Sequence, residues 1–144
     1  MSTETGMISI VDDDESMRSA IKTLIESVGL SVEDFPSAED FLASGRSEVS
    51  ACLILDLRMP GMGGLELQRR LAARRCPLPI IFITAHYNEA ERARAMEGGA
   101  VGFLSKPFNE DALFSAINLS LANRRVFGDG AAWDADQTRA DKRG

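Results

Sequence analysis

The sequence predicts an α/β fold in which a parallel sheet is covered by helices on both faces. Short apolar runs of strand length alternate with segments whose apolar residues recur every three or four positions, the spacing of a buried helix face. Two of the runs, residues 52–55 and 80–83, are apolar without a break, as expected for strands buried on both sides. The order is strand then helix, five times over, and right-handed crossovers leave few topologies for it.

The chain opens with a strand, a helix and a second strand. Residues 7–11 form the first apolar run. Helix one is predicted at residues 15–28 from its three- and four-residue apolar spacing, and Gly29 is its stop signal. Strand two, residues 31–35, alternates with acids, which indicates a place nearer the edge of the sheet.

Helix two is predicted to start at Pro36-Ser37 and to end near Gly45. Ser37 and Asp40 resemble a capping box, with Asp in place of the usual Glu. Strand three is residues 51–55, and the Pro- and Gly-rich residues 56–64 must form a loop.

The second half repeats the alternation. Pro77 and Pro79 end helix three, Gly98 ends helix four, and Asn109 is a candidate N-cap for helix five. The predicted elements are helix 65–75, strand 80–84, helix 89–97, strand 101–104 and helix 110–124. Together the ten elements predict a flavodoxin-like (βα)5 doubly wound parallel sheet with strand order 2-1-3-4-5.

Length and composition indicate an ordinary globular protein. The 144 residues favour one domain, predicted at 1–125, followed by a polar tail or the start of a linker at 126–144. The net charge of −6 argues against a basic face for nucleic acid and against binding to an anionic membrane. No signal peptide or apolar run of membrane length is present, so we expect a cytoplasmic protein. The cysteines lack metal-binding spacing, and Cys52, inside a strand, is expected to be a buried thiol.

Four of the five predicted strands end at polar residues whose side chains could react or bind a ligand. In chain order these are Asp12 with Asp13, Asp56, Thr84 and Lys106. The carboxyl ends of parallel strands share one edge of the sheet, where such folds bind ligands. We therefore expect the acids, the hydroxyl and the ammonium to converge in one pocket.

The acids of this pocket favour a metal. Two carboxylates about 4 Å apart repel by about 4 kcal/mol at an effective dielectric of 20, so a cluster needs a cation. Carboxylate oxygens in small number, with water completing the shell, suit Mg²⁺, with Mn²⁺ as the alternative. Asp12 and Asp13 are the expected lining, while Asp14 faces solvent or caps helix one. The alternative interpretation is that the whole acidic run only caps that helix.

Asp56 is the candidate nucleophile, because carboxylates can form acyl phosphates and a nearby metal would offset the charge of the incoming group. Its alternative role is to accept hydrogen bonds from loop amides. Thr84 could donate to a phosphoryl oxygen, and Lys106 could pair with Asp56 before and with the phosphoryl group after the reaction. Taken singly, a structural Thr84 and a solvated Lys106 are the alternatives.

The chain resembles the receiver domains of two-component response regulators from about Ile8 to Ala122. The spacings of the motifs agree as well. The motifs that carry the resemblance are Val11-Asp12-Asp13-Asp14-Glu15, residues 55–64, Ile83-Thr84-Ala85 and Lys106-Pro107-Phe108.

The resemblance implies that Asp56 accepts a phosphoryl group from a phosphohistidine. The donor would be a sensor histidine kinase or a histidine phosphotransfer protein. Thr84 and Lys106 would bind the phosphoryl oxygens, and Phe103 would reorient together with Thr84. The face formed by helix four, strand five and helix five would switch and bind the partner or a second receiver.

The resemblance also implies a metal site. Asp13 and Asp56 would bind Mg²⁺ directly, Asp12 would bind through water, and the Arg58 backbone carbonyl would be a third protein ligand. No other cofactor is implied, and no turnover of an external substrate. His86, the sole histidine, could be a ligand or a base, but an exposed loop residue that tunes access is the preferred interpretation.

Two other classes on related architectures fit less well. A flavin or nucleotide module needs a Gly- or Ser/Thr-rich anion loop after strand one, where this chain has acids. A hydrolase of the haloacid dehalogenase type would need a cap domain, and the sequence predicts none. The output also stays open, since this chain could be a stand-alone receiver or the first part of a helix-turn-helix regulator.

Overall fold

The computed structural model describes residues 6–129, in which the predicted alternation of strands and helices is present. A short 3-10 turn at Arg46–Glu48, which the sequence did not indicate, precedes the third strand. In chain order the elements are β1 Met7–Val11, α1 Glu15–Glu26, β2 Ser31–Phe35, α2 Ala38–Ser44, β3 Ser50–Asp56, α3 Gly64–Ala73, β4 Ile80–Thr84, α4 Glu89–Glu97, β5 Gly102–Ser105 and α5 Glu110–Asp129.

The five strands form one parallel sheet in the order β2-β1-β3-β4-β5, so the predicted fold class is confirmed. Strand β2 lies at an edge, as its alternation with acids indicated. The register aligns the strand ends: Val11 lies beside Leu55, and Asp56 lies beside Ile83. The residues that follow these ends therefore meet at one edge of the sheet.

Two apolar cores lie on the two faces of the sheet. Because side chains alternate along a strand, Leu53 and Leu55 of β3 enter one core, while Cys52 and Ile54 enter the other. Helices α2, α3 and α4 cover the first core, which includes Phe41, Leu67, Leu71, Phe82 and Ala95. Helices α1 and α5 cover the second, which includes Ile21, Ile25, Ile81, Leu113 and Ile117.

The expectation of a buried thiol at Cys52 is confirmed. Its side chain is free and fully buried, and burial raises the pKa of the thiol to about 12. The thiol therefore stays protonated and unreactive at neutral pH. Within the described range, no helix combines the length and the apolar character that a membrane crossing requires.

Some predicted boundaries were wrong by a few residues. Helix α1 ends at Glu26, two residues early, and leaves Val28 56% exposed. Helix α3 ends at Ala73, and Arg75 adopts a positive φ of 56° before the prolines. Helix α5 continues past the predicted end to Asp129. The remainder of the predicted tail, residues 130–144, lies outside the described residues.

Gly64, the first residue of α3, lies so close to β3 and β4 that there is no room for a side chain. A Cβ atom there would lie 2.7 Å from the Asp56 carbonyl oxygen and 3.0 Å from the Phe82 ring. The Gly64 amide also donates to the Leu57 carbonyl oxygen at 2.9 Å. The helix thus packs directly against the strand end that carries Asp56.

Candidate functional site

The structure brings the four predicted strand-end positions together. Asp12 follows β1, Asp56 ends β3, Thr84 ends β4, and Lys106 follows β5. The Lys106 ammonium lies 3.2 Å from a carboxylate oxygen of Asp12 and 3.6 Å from one of Asp56. A site is thus assembled from chain segments separated by as many as 94 residues.

Three carboxylates share this site. Asp12, Asp13 and Asp56 each offer an oxygen within 4.8 Å of the other two. Asp12 is fully buried, Asp56 is 6% exposed, and Asp13 is open to solvent. Oxygen ligands in small number, with one side open for water, fit a hard divalent cation such as Mg²⁺.

The consecutive aspartates have different roles. Asp14 is the N-cap of α1, and its carboxylate accepts the amide hydrogens of Ser16 and Met17 at 2.9 and 3.2 Å. Asp12 turns into the site, and one of its oxygens accepts the Asp14 amide hydrogen at 2.9 Å. The interpretation of the whole run as a helix cap is therefore wrong, because only Asp14 caps α1.

The charge balance of the site is negative. Burial, followed by the charges of Asp12 and Asp13, raises the pKa of Asp56 to about 7, although the Lys106 ammonium opposes the shift. One ammonium therefore does not compensate three carboxylates in a partly dry pocket. A bound cation would supply the missing positive charge and favour the ionised, nucleophilic form of Asp56.

Thr84 lies at the site edge but is engaged in a local turn. Its buried hydroxyl donates to the His86 carbonyl oxygen at 3.2 Å and accepts the His86 amide hydrogen at 3.0 Å. The Thr84 carbonyl oxygen also accepts the Lys106 amide hydrogen at 2.7 Å. The side chain would have to leave His86 to reach a group bound on Asp56.

The residues flanking the site reach outward. Arg58, two positions after Asp56, forms a salt bridge of 2.8 Å with Glu91 on α4. His86 is exposed in the loop before α4, so the predicted exposure is confirmed. The Arg58–Glu91 pair was not predicted, since strand and helix patterns do not reveal which surface side chains meet.

Phe103 lies outside the carboxylate cluster, half-buried on β5. Its ring centroid is 6.1 Å from that of the buried Phe82 and 5.8 Å from that of Tyr87. Tyr87 was missed in the sequence, because a single aromatic in a polar loop has no periodic partner. The only signal was its position directly after His86.

Curated relatives match most of the described chain. It is 47% identical over 112 residues to nodulation protein W of Bradyrhizobium diazoefficiens, an alignment covering 78% of this chain and 49% of that one. It is 44% identical over 121 residues to the response regulator protein TodT of Pseudomonas putida, covering 84% and 53%. The chain thus spans about half the length of these relatives.

Solved structures agree with the relatives. The response regulator StyR superimposes with a TM-score of 0.79 at 45% identity, over 88% of this chain and 65% of that one. The crystal structure of FixJ-N superimposes with a TM-score of 0.75 at 36% identity, over 81% of this chain and 94% of that one. Residues 8–118 match the family model described as the response regulator receiver domain. The chain belongs to the response regulator receiver domain family.

Proposed function

We propose that this receiver accepts a phosphoryl group on Asp56 from a phosphohistidine of a sensor kinase or a histidine phosphotransfer protein. The observation that carries the proposal is the position of Asp56, a nearly buried carboxylate grouped with Asp12 and Asp13 and lying 3.6 Å from the Lys106 ammonium. A structural aspartate needs neither the two acidic neighbours nor the ammonium. A phosphoacceptor needs both, for the metal and for the transferred charge.

The proposed reaction is a displacement at phosphorus. An Asp56 carboxylate oxygen forms the new O–P bond while the N–P bond of the donor breaks, and the electron pair leaves with the imidazole nitrogen. Bound Mg²⁺ would neutralise charge on the phosphoryl oxygens. Asp13 and Asp56 would hold the metal directly, Asp12 through water, and the Arg58 carbonyl would complete the protein ligands.

Thr84 and Lys106 then respond to the new group. The Lys106 ammonium, now shared by two carboxylates, would bind a phosphoryl oxygen. The Thr84 hydroxyl would leave the His86 backbone and donate to a second oxygen. When the Thr84 hydroxyl leaves the His86 backbone, space opens for the Phe103 ring to turn inward. This turn of the ring changes the α4–β5–α5 face.

This face would carry the signal to a partner or to a second receiver. The transcriptional regulatory protein TdiR of Thauera aromatica, 40% identical over 130 residues, bears a name that indicates control of transcription. A DNA-binding output would lie in a part of such regulators that this chain does not span. The chain itself, with a net charge of −6, would work in the cytoplasm without contacting nucleic acid or membrane, and would turn over no external substrate.

Intact-mass spectrometry tests the proposal. The protein is incubated with Mg²⁺ and either acetyl phosphate or a phosphorylated kinase. The wild type should gain one phosphoryl group, and Asp56→Asn should gain none. Equal labelling of both proteins would contradict the assignment of Asp56.

Two further measurements distinguish the proposed receiver from the two alternative classes, a flavin-binding module and a phosphate-ester hydrolase. An absorbance scan would reveal a flavin, and steady turnover of a phosphate ester would reveal a hydrolase. We expect neither. Phosphotransfer profiling against candidate kinases would then identify the donor.

A further inference from the structure

Three aromatic rings form a row from the core to the surface. Phe82 is fully buried on β4, Phe103 is half-buried beside it on β5, and Tyr87 is 53% exposed in the loop before α4. The Tyr87 and Phe103 rings meet nearly edge to face, with an interplanar angle of 85°. Tyr87 therefore covers the outer side of the ring that the proposed switch must turn.

Tyr87 is itself tied to α4. Its hydroxyl donates to a carboxylate oxygen of Glu89, the first residue of α4, at 2.6 Å. The same carboxylate accepts two donors of the Arg92 guanidinium, with distances from 2.9 to 3.2 Å. The Arg92 and Tyr87 hydrogen bonds hold the pKa of Glu89 down at about 2, so the acceptor stays ionised at neutral pH.

We propose that Tyr87 is a positioning residue that keeps the Phe103 ring in the orientation in which the two rings meet, and so opposes the switch until Asp56 is occupied. This inference rests on the proposed function. The Phe103 backbone is fixed by its pairing beside Phe82 in the sheet, and Tyr87 is tied to α4. An inward turn of the Phe103 ring must therefore separate it from Tyr87.

The cost of that separation should appear in the affinity for any ligand that requires the inward state. A contact present in only one of two states shifts their balance, and the apparent affinity follows the population of the competent state. An edge-to-face aromatic pair has a strength that corresponds to roughly a threefold to tenfold change. Removing the Tyr87 ring should therefore tighten binding by this factor.

Beryllofluoride, a stable mimic of an aspartyl phosphoryl group, is the probe. The wild type and variants are titrated in Mg²⁺, with binding followed through backbone amide resonances near Asp56. We expect Tyr87→Ala to lower the apparent dissociation constant roughly threefold to tenfold. Tyr87→Phe keeps the ring and loses only the Glu89 hydrogen bond, so its change should be smaller.

The matched control is Val49→Ala. Val49 is 49% exposed, much like Tyr87, but precedes β3 at the opposite end of the sheet. The affinity of Val49→Ala for beryllofluoride should equal that of the wild type. The proposal is overturned if Tyr87→Ala binds beryllofluoride no more tightly than the wild type, or if Tyr87→Phe changes the affinity as much as Tyr87→Ala.

A second readout distinguishes this proposal from the proposed function. Ring-proton contacts between Phe103 and Phe82 are measured by NMR without any ligand. The Phe103 ring should hold one orientation in the wild type and average between orientations in Tyr87→Ala. If no variant binds beryllofluoride, the phosphoacceptor function fails, yet the ring measurement still decides the role of Tyr87: an unchanged ring would overturn it.

Discussion

At the scale of single residues, backbone position decides what each of the three consecutive aspartates does. Asp12 continues the line of β1 into the buried pocket, Asp13 lies at the open side, and Asp14 turns back to cap α1. Neighbouring residues with the same side chain therefore give matched variants with different expected outcomes.

Asp13→Ala should abolish Mg²⁺ binding, because the proposed site loses a direct ligand. Without metal, the variant should be slightly more stable, by up to about 1 kcal/mol, since one of several like charges is removed. NMR titration with Mg²⁺ and urea unfolding would measure the two effects.

Asp14→Ala is the matched control for Asp13→Ala. It should leave Mg²⁺ binding intact and lower the stability by about 1 kcal/mol through loss of the N-cap. Should Asp13→Ala keep its metal affinity and lose stability instead, Asp13 would have a structural role.

The raised pKa of Asp56 predicts a pH-dependent stability. Its folded-state pKa is about 7 against an ordinary value of 3.8, so the native state binds the proton more tightly. Between these two values the native state holds more protons than the unfolded state, and stability falls as pH rises. In urea unfolding without metal, the wild type should lose about 2 to 4 kcal/mol across this window, relative to Asp56→Asn.

The exposed Asp111 in the first turn of α5 provides the control. Asp111→Asn should retain the loss of stability with rising pH, because the site is untouched. A wild type whose pH profile matches that of Asp56→Asn would show that Asp56 ionises normally in the apo protein.

The residues of the site could be predicted from the strand ends in the sequence. The hydrogen-bond partners of their side chains could not. The positions of Asp12, Asp56, Thr84 and Lys106 follow from the fold alone, because parallel strands share a carboxyl edge. The turn between Thr84 and His86 depends on a rotamer, which no periodic pattern encodes.

At the scale of elements, α4 contributes fewer buried residues than any other α-helix in the described part of the chain. Ala95 is the one residue of α4 that is buried. The buried Gln68 side chain of α3 donates to the Ala95 carbonyl oxygen at 2.9 Å and packs where a side chain at Gly98 would otherwise sit. The C-terminal half of α4 is thus fixed to α3, while its first turn is joined to Arg58 and Tyr87 by exposed polar contacts.

Gln68→Ala should therefore loosen α4 more than it unfolds the protein. We expect a loss of about 1 to 3 kcal/mol in the free energy of unfolding, since a buried hydrogen bond and its packing disappear. Amide hydrogen exchange in Glu89–Glu97 should accelerate further than in the strands.

Arg69→Ala on the exposed side of α3 is the control, with an expected change below about 0.5 kcal/mol. Uniform acceleration of exchange across the sheet in Gln68→Ala would show that Gln68 supports the whole fold and not α4 in particular.

The strand and helix boundaries show why elements are easier to predict than their ends. Residues 31–35 and 80–84 were predicted with the bounds observed, because turns and prolines enclose them. The end of α1 was predicted two residues too late. The Ser27 hydroxyl donates a hydrogen bond to the Leu24 carbonyl oxygen, which satisfies an acceptor in the last turn of the helix. Such local hydrogen bonds compete with the apolar pattern that indicated a longer helix.

At the scale of the whole molecule, the sheet has one apolar core on each face, and its carboxyl edge carries a single site next to both cores. Beryllofluoride with Mg²⁺ should therefore change amide exchange mainly in residues 89–113, where α4, β5 and the start of α5 lie. The reason is that Thr84 precedes α4, Lys106 lies between β5 and α5, and both would be drawn toward Asp56.

The internal reference for that experiment is α1, which lies outside residues 89–113. Helix α1 packs on the opposite face of the sheet from α4 and should change little. Changes confined to α1, with residues 89–113 unaltered, would show that the signal leaves by another face.

The contact of 3.2 Å between Asp12 and Lys106 also has a meaning for biosynthesis. The ribosome delivers the acidic half of the pocket first and the ammonium 94 residues after Asp12. A nascent chain that exposes Asp56 therefore has no counter-ion for it, and β4 and β5 have yet to join the sheet. If Asp56 is the phosphoacceptor proposed above, the pocket that receives the phosphoryl group is complete only after Lys106 has been synthesised and β5 has joined the sheet.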